Sequence, residues 1–357
     1  MKKQSDFKKR MGLSECNTDG IKFLDASRLD GLLEGLAWFQ QERLYRRLPR
    51  KPRQKLPEAV DQLAWHPSGA RLRFKTSSMR VLLRVKREDS PVSDHMANTG
   101  RAGFDLYVGP AGRETFFKVT RVDTASTQFT VELFSDAVRR TRSFIVNFPL
   151  YERVLKVELG IDAGAEALPP APLADKGRPI CVYGTSITQG GCASRPGMSW
   201  TNILSRRMNR LFYNYGFSGS GRGEPEVAEL LAGVPADPLM YILDYEANAG
   251  GHEQYSKTLP EFIRILRAAR PATPVLVVSR YRFTWGPICA KTLEMQKKTV
   301  AGLRRKGDKN LYFFDGSDML GADFGEALVD GCHATDIGFY RAANALQGVI
   351  EKILRGA

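Results

Sequence analysis

The sequence predicts a two-domain chain: an all-β sandwich or jelly roll over residues 21–165, then an α/β domain on a parallel sheet over residues 179–357. Three observations carry this. A length of 357 residues exceeds what one ordinary core supports. The first half is a succession of short alternating apolar runs. The second half alternates short β-branched runs with amphipathic stretches of helical period.

In chain order, residues 1–20 read as a polar tail. The runs "RLRFKT", "MRVLLRVKRE", "GFDLYVGP", "RETFFKVTRV", "QFTVELFS", "RSFIVNFPL" and "RVLKVELGI" follow, separated by Gly, Pro, Asp and Ser, which is the rhythm of a sandwich. The Ala- and Pro-rich residues 166–178 have no period and read as a linker. Beyond them "PICVYG", "FYNYGF", "LMYILDY", "PVLVVSR" and "NLYFFDG" predict strands. Between and after these, "SWTNILSRRMNRL", "EPEVAELLAGV", "KTLPEFIRILRAAR", "AKTLEMQKKTVAGLRRKG" and "DIGFYRAANALQGVIEKIL" predict helices. Strand and helix in alternation imply a three-layer arrangement, in which ligands bind beyond the carboxyl ends of the strands.

Composition narrows the function classes. The chain is 43% hydrophobic and 26% charged, as expected of a globular protein. Its net charge of +14 raises the question of nucleic acid, but there is no basic helix, no RNP-like run and no zinc finger. The densest basic cluster, "RLYRRLPRKPRQK" at 43–55, is interrupted by proline and reads as a solvated surface. Apolar runs such as "VLVV" fall far short of a bilayer span of about 20 residues. Neither a nucleic-acid nor a membrane partner is expected. The N-terminus has basic residues without an apolar stretch behind them, so a cytoplasmic location is expected. Five cysteines without CxxC spacing predict neither a disulfide framework nor a metal site, and no cofactor is expected.

The chemistry concentrates in four strand-end loops. In "CVYGTSITQG" an apolar strand runs into a glycine and then Ser186, a hydroxyl placed at the rim of the predicted crevice with little bulk around it. A hydroxyl attacks well only with a base, a group that orients the base, and donors for the oxyanion. "VDGCHATDIGFY" supplies Asp330 and His333 three residues apart before the last helix, and the order Ser, Asp, His suits a triad assembled from strand-end loops. Gly219 in "NYGFSGSGRG" and Asn248 in "ILDYEANAG" are candidate oxyanion donors beside the Ser186 N–H. Taken alone, "GTS" is an ordinary strand-to-helix turn, His333 a buried or capping histidine, Gly219 a tight turn and Asn248 a strand-end cap. The four together, in this order, favour catalysis.

These four stretches resemble the blocks of the SGNH hydrolases, the GDSL-type esterases: Ser186 in the first, Gly219 in the second, Asn248 in the third, Asp330 and His333 in the last. The first half is similar to the β-sandwich that precedes one subgroup, whose GxDLY signature here is Gly103-Phe104-Asp105-Leu106-Tyr107. The resemblance spans about residues 21–355. It implies a flavodoxin-like catalytic fold, ester hydrolysis without a metal, and substrates that are often acylated carbohydrates. The chain departs from the usual pattern at Thr185, in "YEAN", and at Cys332 and Ala334, none of which removes a catalytic functional group.

Three further histidines and the signature's polar pair are placed as follows. His95, in the polar loop "SDHMANTG", and His252, just after the third strand, are candidate substrate contacts, with an ordinary exposed loop residue the plainer reading of His252. His66 reads as structural, and Asp105 and Tyr107 as a buried network or strand pairing. The expected activity is a serine esterase or deacylase acting on short acyl, chiefly acetyl, esters of a small molecule or oligosaccharide. Two alternatives belong to other classes. One is a catalytically inactive carbohydrate-binding protein. The other is a nucleotide-binding module, suggested by "GFSGSGRG" between strand and helix; against it, the glycine order is wrong and no Walker lysine follows.

Overall fold

A computed structural model describes residues 16–356 except 89, 90, 124 and 125. Among the described residues the first domain has nine strands: β1 (Ile21–Asp25), β2 (Leu33–Glu34), β3 (Arg71–Thr76), β4 (Arg80–Arg87), β5 (Asp105–Val108), β6 (Thr115–Val119), β7 (Gln128–Ser135), β8 (Arg142–Asn147) and β9 (Val154–Asp162). They form two antiparallel sheets, in the orders β1-β9-β4-β7 and β2-β3-β8-β5-β6. Alternation explains the sandwich. In β4, Val81, Leu83 and Val85 enter the core while Arg84 and Lys86 point to solvent. Phe134 of one sheet and Phe144 of the other meet with ring centroids 5.1 Å apart.

The second domain has five parallel strands, β10 (Pro179–Gly184), β11 (Leu211–Gly216), β12 (Met240–Asp244), β13 (Val275–Val278) and β14 (Leu311–Phe314), in the order β11-β10-β12-β13-β14. Its helices are α1 (Ser186–Gln189), α2 (Trp200–Arg207), α3 (Pro225–Ala232), α4 (His252–Ala269), α5 (Ala290–Arg305) and α6 (Asp336–Arg355). Every residue of β10 is buried, as a central strand covered on both faces requires. Cys181 and Tyr183 pack among α3 and α4, and Ile180 and Val182 among α2 and α6. Because β11 and β12 flank β10, the chain leaves β10 at the point where the strand order reverses. That is where open α/β sheets form their crevice, and Ser186 stands there.

The two domains share an extensive polar and apolar interface. Asp105 of the GxDLY signature is fully buried; it accepts from Asn147 Nδ2 at 2.8 Å within the sandwich and from Gly197 N at 2.7 Å across the interface. Arg71 donates to Ser205 Oγ at 2.7 Å. The basic stretch 43–55 is not a uniformly solvated surface. Arg46 and Arg47 are buried, Arg47 donating to the carbonyls of Asn214 and Gly216 with its guanidinium 4.6 Å from the Phe217 ring centroid. Leu48, Leu56, Val60 and Ala64 belong to the core of the second domain. Among the described residues no helix is long and apolar enough to cross a membrane.

Candidate active site

Ser186 is placed by the sharp turn at the end of β10. A Cβ on Gly184 would lie 2.0 Å from Thr188 Oγ1 and 2.6 Å from the Asp244 carbonyl, so only glycine lets the strand pass into α1 here. Thr185 caps that helix by accepting from Ile187 N. Ser186 is the first helical residue, and its N–H has no acceptor within the helix. Residues of the first domain grip α1: Tyr151 Oη donates to the Ser186 carbonyl at 3.1 Å, Ser68 Oγ to the Gln189 carbonyl at 2.6 Å, and Gln189 Nε2 to the Leu150 carbonyl at 3.0 Å. His66 sits 3.3 Å from Gln189 Nε2, and burial, with Arg47 and Arg101 adding, pushes its imidazole down to about 3. It is a neutral structural group.

The loop before α6 brings the candidate base. Its ends pair through Leu328 and Ala334, and within it the Asp330 carboxylate accepts from Cys332 N at 3.1 Å, His333 N at 2.8 Å and His333 Nδ1 at 2.7 Å. With Nδ1 facing the carboxylate and carrying the proton, Nε2 presents its lone pair to Ser186 Oγ, 2.8 Å away. Burial alone would raise the Asp330 carboxyl; the hydrogen bonds from the His333 backbone and ring and from Cys332 N outweigh it and hold the group far below the usual carboxylate range.

The two remaining candidate donors lie in the loops after β11 and β12, the strands on either side of β10. Gly219 has φ +67, a left-handed conformation that favours glycine, and its carbonyl is fixed by Arg222 Nη2 at 2.9 Å. Asn248 Nδ2 donates one hydrogen to the Ser220 carbonyl at 2.7 Å, which ties the loops after β11 and β12 together and leaves its second amide hydrogen available. Glu246 of "YEAN" is occupied structurally, accepting from Arg280 N and Gln296 Nε2, both at 2.8 Å. Asp244, half-buried behind α1, accepts from Thr188 Oγ1 at 2.8 Å, and burial pushes its carboxyl up to about 7.

The GDSL-like lipase/acylhydrolase family matches residues 177–351, and the GxDLY N-terminal domain of SGNH-hydrolase-type esterases matches residues 21–167. A protein of Bacteroides ovatus ATCC 8483 described as a GDSL-like lipase is 30% identical, with a TM-score of 0.83 over 94% of this chain and 98% of that one. This chain belongs to the GDSL-like lipase/acylhydrolase family. It is therefore a carboxylic ester hydrolase of SGNH type. Two more distant solved structures share the fold. The salicylyl-acyltransferase SsfX3 from a tetracycline biosynthetic pathway is 18% identical, with a TM-score of 0.74 over 94% of this chain and 98% of that one. A family two carbohydrate esterase from Clostridium thermocellum is 17% identical, with a TM-score of 0.60 over 80% of this chain and 93% of that one. No curated protein matches the chain.

This GDSL-like hydrolase brings His95 of the sandwich to the His333 loop: the rings of His95 and His333 are 5.5 Å apart. His95 Nδ1 lies 3.0 Å from Ser93 Oγ and 3.3 Å from Asp94 Oδ1, which orients the ring. His252 follows the loop after β12. It opens α4, and among the described residues it makes no hydrogen bond to Ser186, Asp330 or His333; its buried Nδ1 has no partner. Sequence reasoning missed the supports of the His333 loop. Tyr281 Oη donates to the Cys332 carbonyl at 2.7 Å and Thr284 N to the Gly331 carbonyl at 2.9 Å, both from the segment after β13. No local pattern in "SRYRFTW" signals these contacts, because the partner lies some fifty residues away.

Proposed function

We propose that the enzyme removes short acyl groups, acetyl in the first instance, from hydroxyls of a carbohydrate or similar polyol, through Ser186, His333 and Asp330. The hydrogen-bonded chain from Ser186 Oγ through His333 to Asp330, 2.8 and 2.7 Å in its two links, carries the reading. Ser186 Oγ attacks the ester carbonyl while His333 Nε2 takes its proton, and Asp330 holds the imidazole in the required tautomer. The N–H groups of Ser186 and Gly219 and the free Asn248 amide hydrogen receive the developing oxyanion. The alcohol leaves with the proton from His333. Water, deprotonated by the same nitrogen, then attacks the acyl-enzyme and releases the acid and Ser186.

Confinement supports a short acyl group. Ser186 is only 7% exposed, and the space above Gly191 is closed by Tyr151 Oη and Met96 Cε. The neighbouring His95 supports a polar alcohol, as do fold relatives that include carbohydrate esterases. Purified enzyme on p-nitrophenyl esters of rising chain length, then on acetylated sugars, tests this. The reading expects kcat/KM to be highest for acetate and to fall steeply by octanoate; a maximum at long chains contradicts it.

A further inference from the structure

Beside the catalytic loop, His333 shares its surroundings with two side chains, His95 and Cys192, that the proposed proton transfers do not use. His95 comes from the first domain, Cys192 from the loop after α1 and His333 from the loop before α6; a ring nitrogen or sulfur of each lies within 4.8 Å of the others. Cys192 occupies the left-handed region, φ 73, directly after Gly190 and Gly191. A side chain in that conformation carries a steric cost that glycine would avoid. It nevertheless carries a thiol beside two imidazoles.

The geometry points to a thiophilic metal site at His95, Cys192 and His333, taking zinc or a similar borderline-soft divalent ion, that reversibly inhibits the hydrolase. Two imidazoles and a thiolate are a donor set that zinc favours over harder cations. The spacing permits it. Three atoms no more than 4.8 Å apart lie within about 2.8 Å of a common point, against zinc–ligand bonds of about 2.0–2.3 Å, so each needs to close by at most about 0.8 Å. Side-chain rotations of that size are available to three half-buried groups.

Inhibition follows from which electron pair the metal takes. His333 Nδ1 is engaged with Asp330, so Nε2 offers the ring's free lone pair, the one that faces Ser186 Oγ. A metal on Nε2 occupies the position that would receive the serine proton. The Cys192 thiol proton passes to solvent as the sulfur–metal bond forms, with no change of oxidation state. Ser186 Oγ or water completes a four-coordinate shell. The three ligands are 97 and 141 residues apart in sequence, which is why spacing rules for contiguous zinc motifs do not register them.

Zinc chloride titrated against p-nitrophenyl acetate hydrolysis by the full-length protein tests the site, together with cobalt binding followed through its thiolate charge-transfer band. Wild type should be inhibited by micromolar zinc, recover on addition of EDTA, and show the cobalt band. Cys192→Ala, and Cys192→Gly, which also suits the backbone, should retain metal-free activity and lose the band. Their half-inhibiting zinc concentration should rise at least about 100-fold, since loss of a ligand exceeds the 10- to 100-fold cost of losing an outer-shell partner. Cys332→Ala should respond as wild type. Absence of the band, undiminished zinc inhibition in both Cys192 variants, or relief by Cys332→Ala alone overturns the inference; the last would place the metal at Asp330, Cys332 and His333. The cobalt spectrum does not depend on turnover, so it stands or fails separately from the proposed esterase mechanism.

Discussion

Replacing His95 with alanine separates recognition of the alcohol from the chemical step. The ring is braced at Nδ1 by Ser93 and Asp94 and stands 5.5 Å from His333, which leaves its other nitrogen for the alcohol half of an ester seated at Ser186. A hydrogen bond from a neutral group contributes about 0.5–1.5 kcal/mol and one from a charged group up to about 3 kcal/mol. At about 1.4 kcal/mol per decade, His95→Ala should lower kcat/KM on an acetylated sugar by about 2- to 10-fold if the ring is neutral, and by on the order of 100-fold if it is charged. p-Nitrophenyl acetate has a leaving group that needs neither recognition nor protonation, so its kcat/KM should change by less than about 2-fold. Steady-state kinetics on the two substrates give the answer directly. Equal losses on both would assign His95 to folding or catalysis, and no loss on either would leave the sandwich a scaffold with no part in recognition.

Asp330→Asn keeps an acceptor near His333 but removes the charge and the preferred tautomer, so kcat should drop by on the order of 10^4, whereas His252→Ala should change KM at most; activity of His252→Ala as low as that of Asp330→Asn would reassign the base. Because the Asp330 carboxyl titrates below its unfolded value, the stability it contributes is complete above the ordinary carboxylate pKa and is lost as pH falls through the lower folded value. The urea-midpoint advantage of wild type over Asp330→Asn should therefore be constant above about pH 5 and shrink below about pH 4; growth of the difference on acidification would refute the assigned hydrogen bonds. Asp105→Ala strips acceptors from the Asn147 amide and the Gly197 N–H, at about 1–3 kcal/mol each, and urea unfolding should show a loss toward the lower end of about 2–6 kcal/mol, since a buried carboxylate is removed with them. A loss under about 1 kcal/mol would mean that the signature aspartate does not hold the domains together.

Much of the fold was legible because each element carries its own period. The alternation in "RVLLRVKR" and the fully apolar "PICVYG" state, respectively, a half-buried sandwich strand and a doubly covered central strand. β1 and the two-residue β2 are too short or too mixed for such a pattern, and their place in the sheets comes from partners far along the chain. The stretch 43–64 failed for a different reason. Its charge looks solvated, yet Arg47 is buried with its donors on backbone carbonyls of β11, and the apolar residues around it have no period because they fill gaps in another domain's core. At the site, Ser186, Gly219, Asn248, Asp330 and His333 each follow a strand, so topology alone converges them on one end of the sheet. Tyr151, Tyr281 and Cys192 act across loops and domains, and their proximity exists only after packing. His95 lies between these cases: the sequence offered a polar loop near GxDLY, and only the structure relates its ring to that of His333.

The central claim, that Ser186 is the nucleophile of this hydrolase, is tested most directly by covalent trapping. Wild-type protein treated with a serine-directed fluorophosphonate should gain the mass of one label, located by peptide mass spectrometry on Ser186 and nowhere else. Ser186→Ala should take up none, hydrolyse no ester above background and melt within a few degrees of wild type, because among the described residues the hydroxyl's one side-chain hydrogen bond is the one to His333. A label on any other residue, or undiminished turnover by a folded Ser186→Ala, would contradict the account.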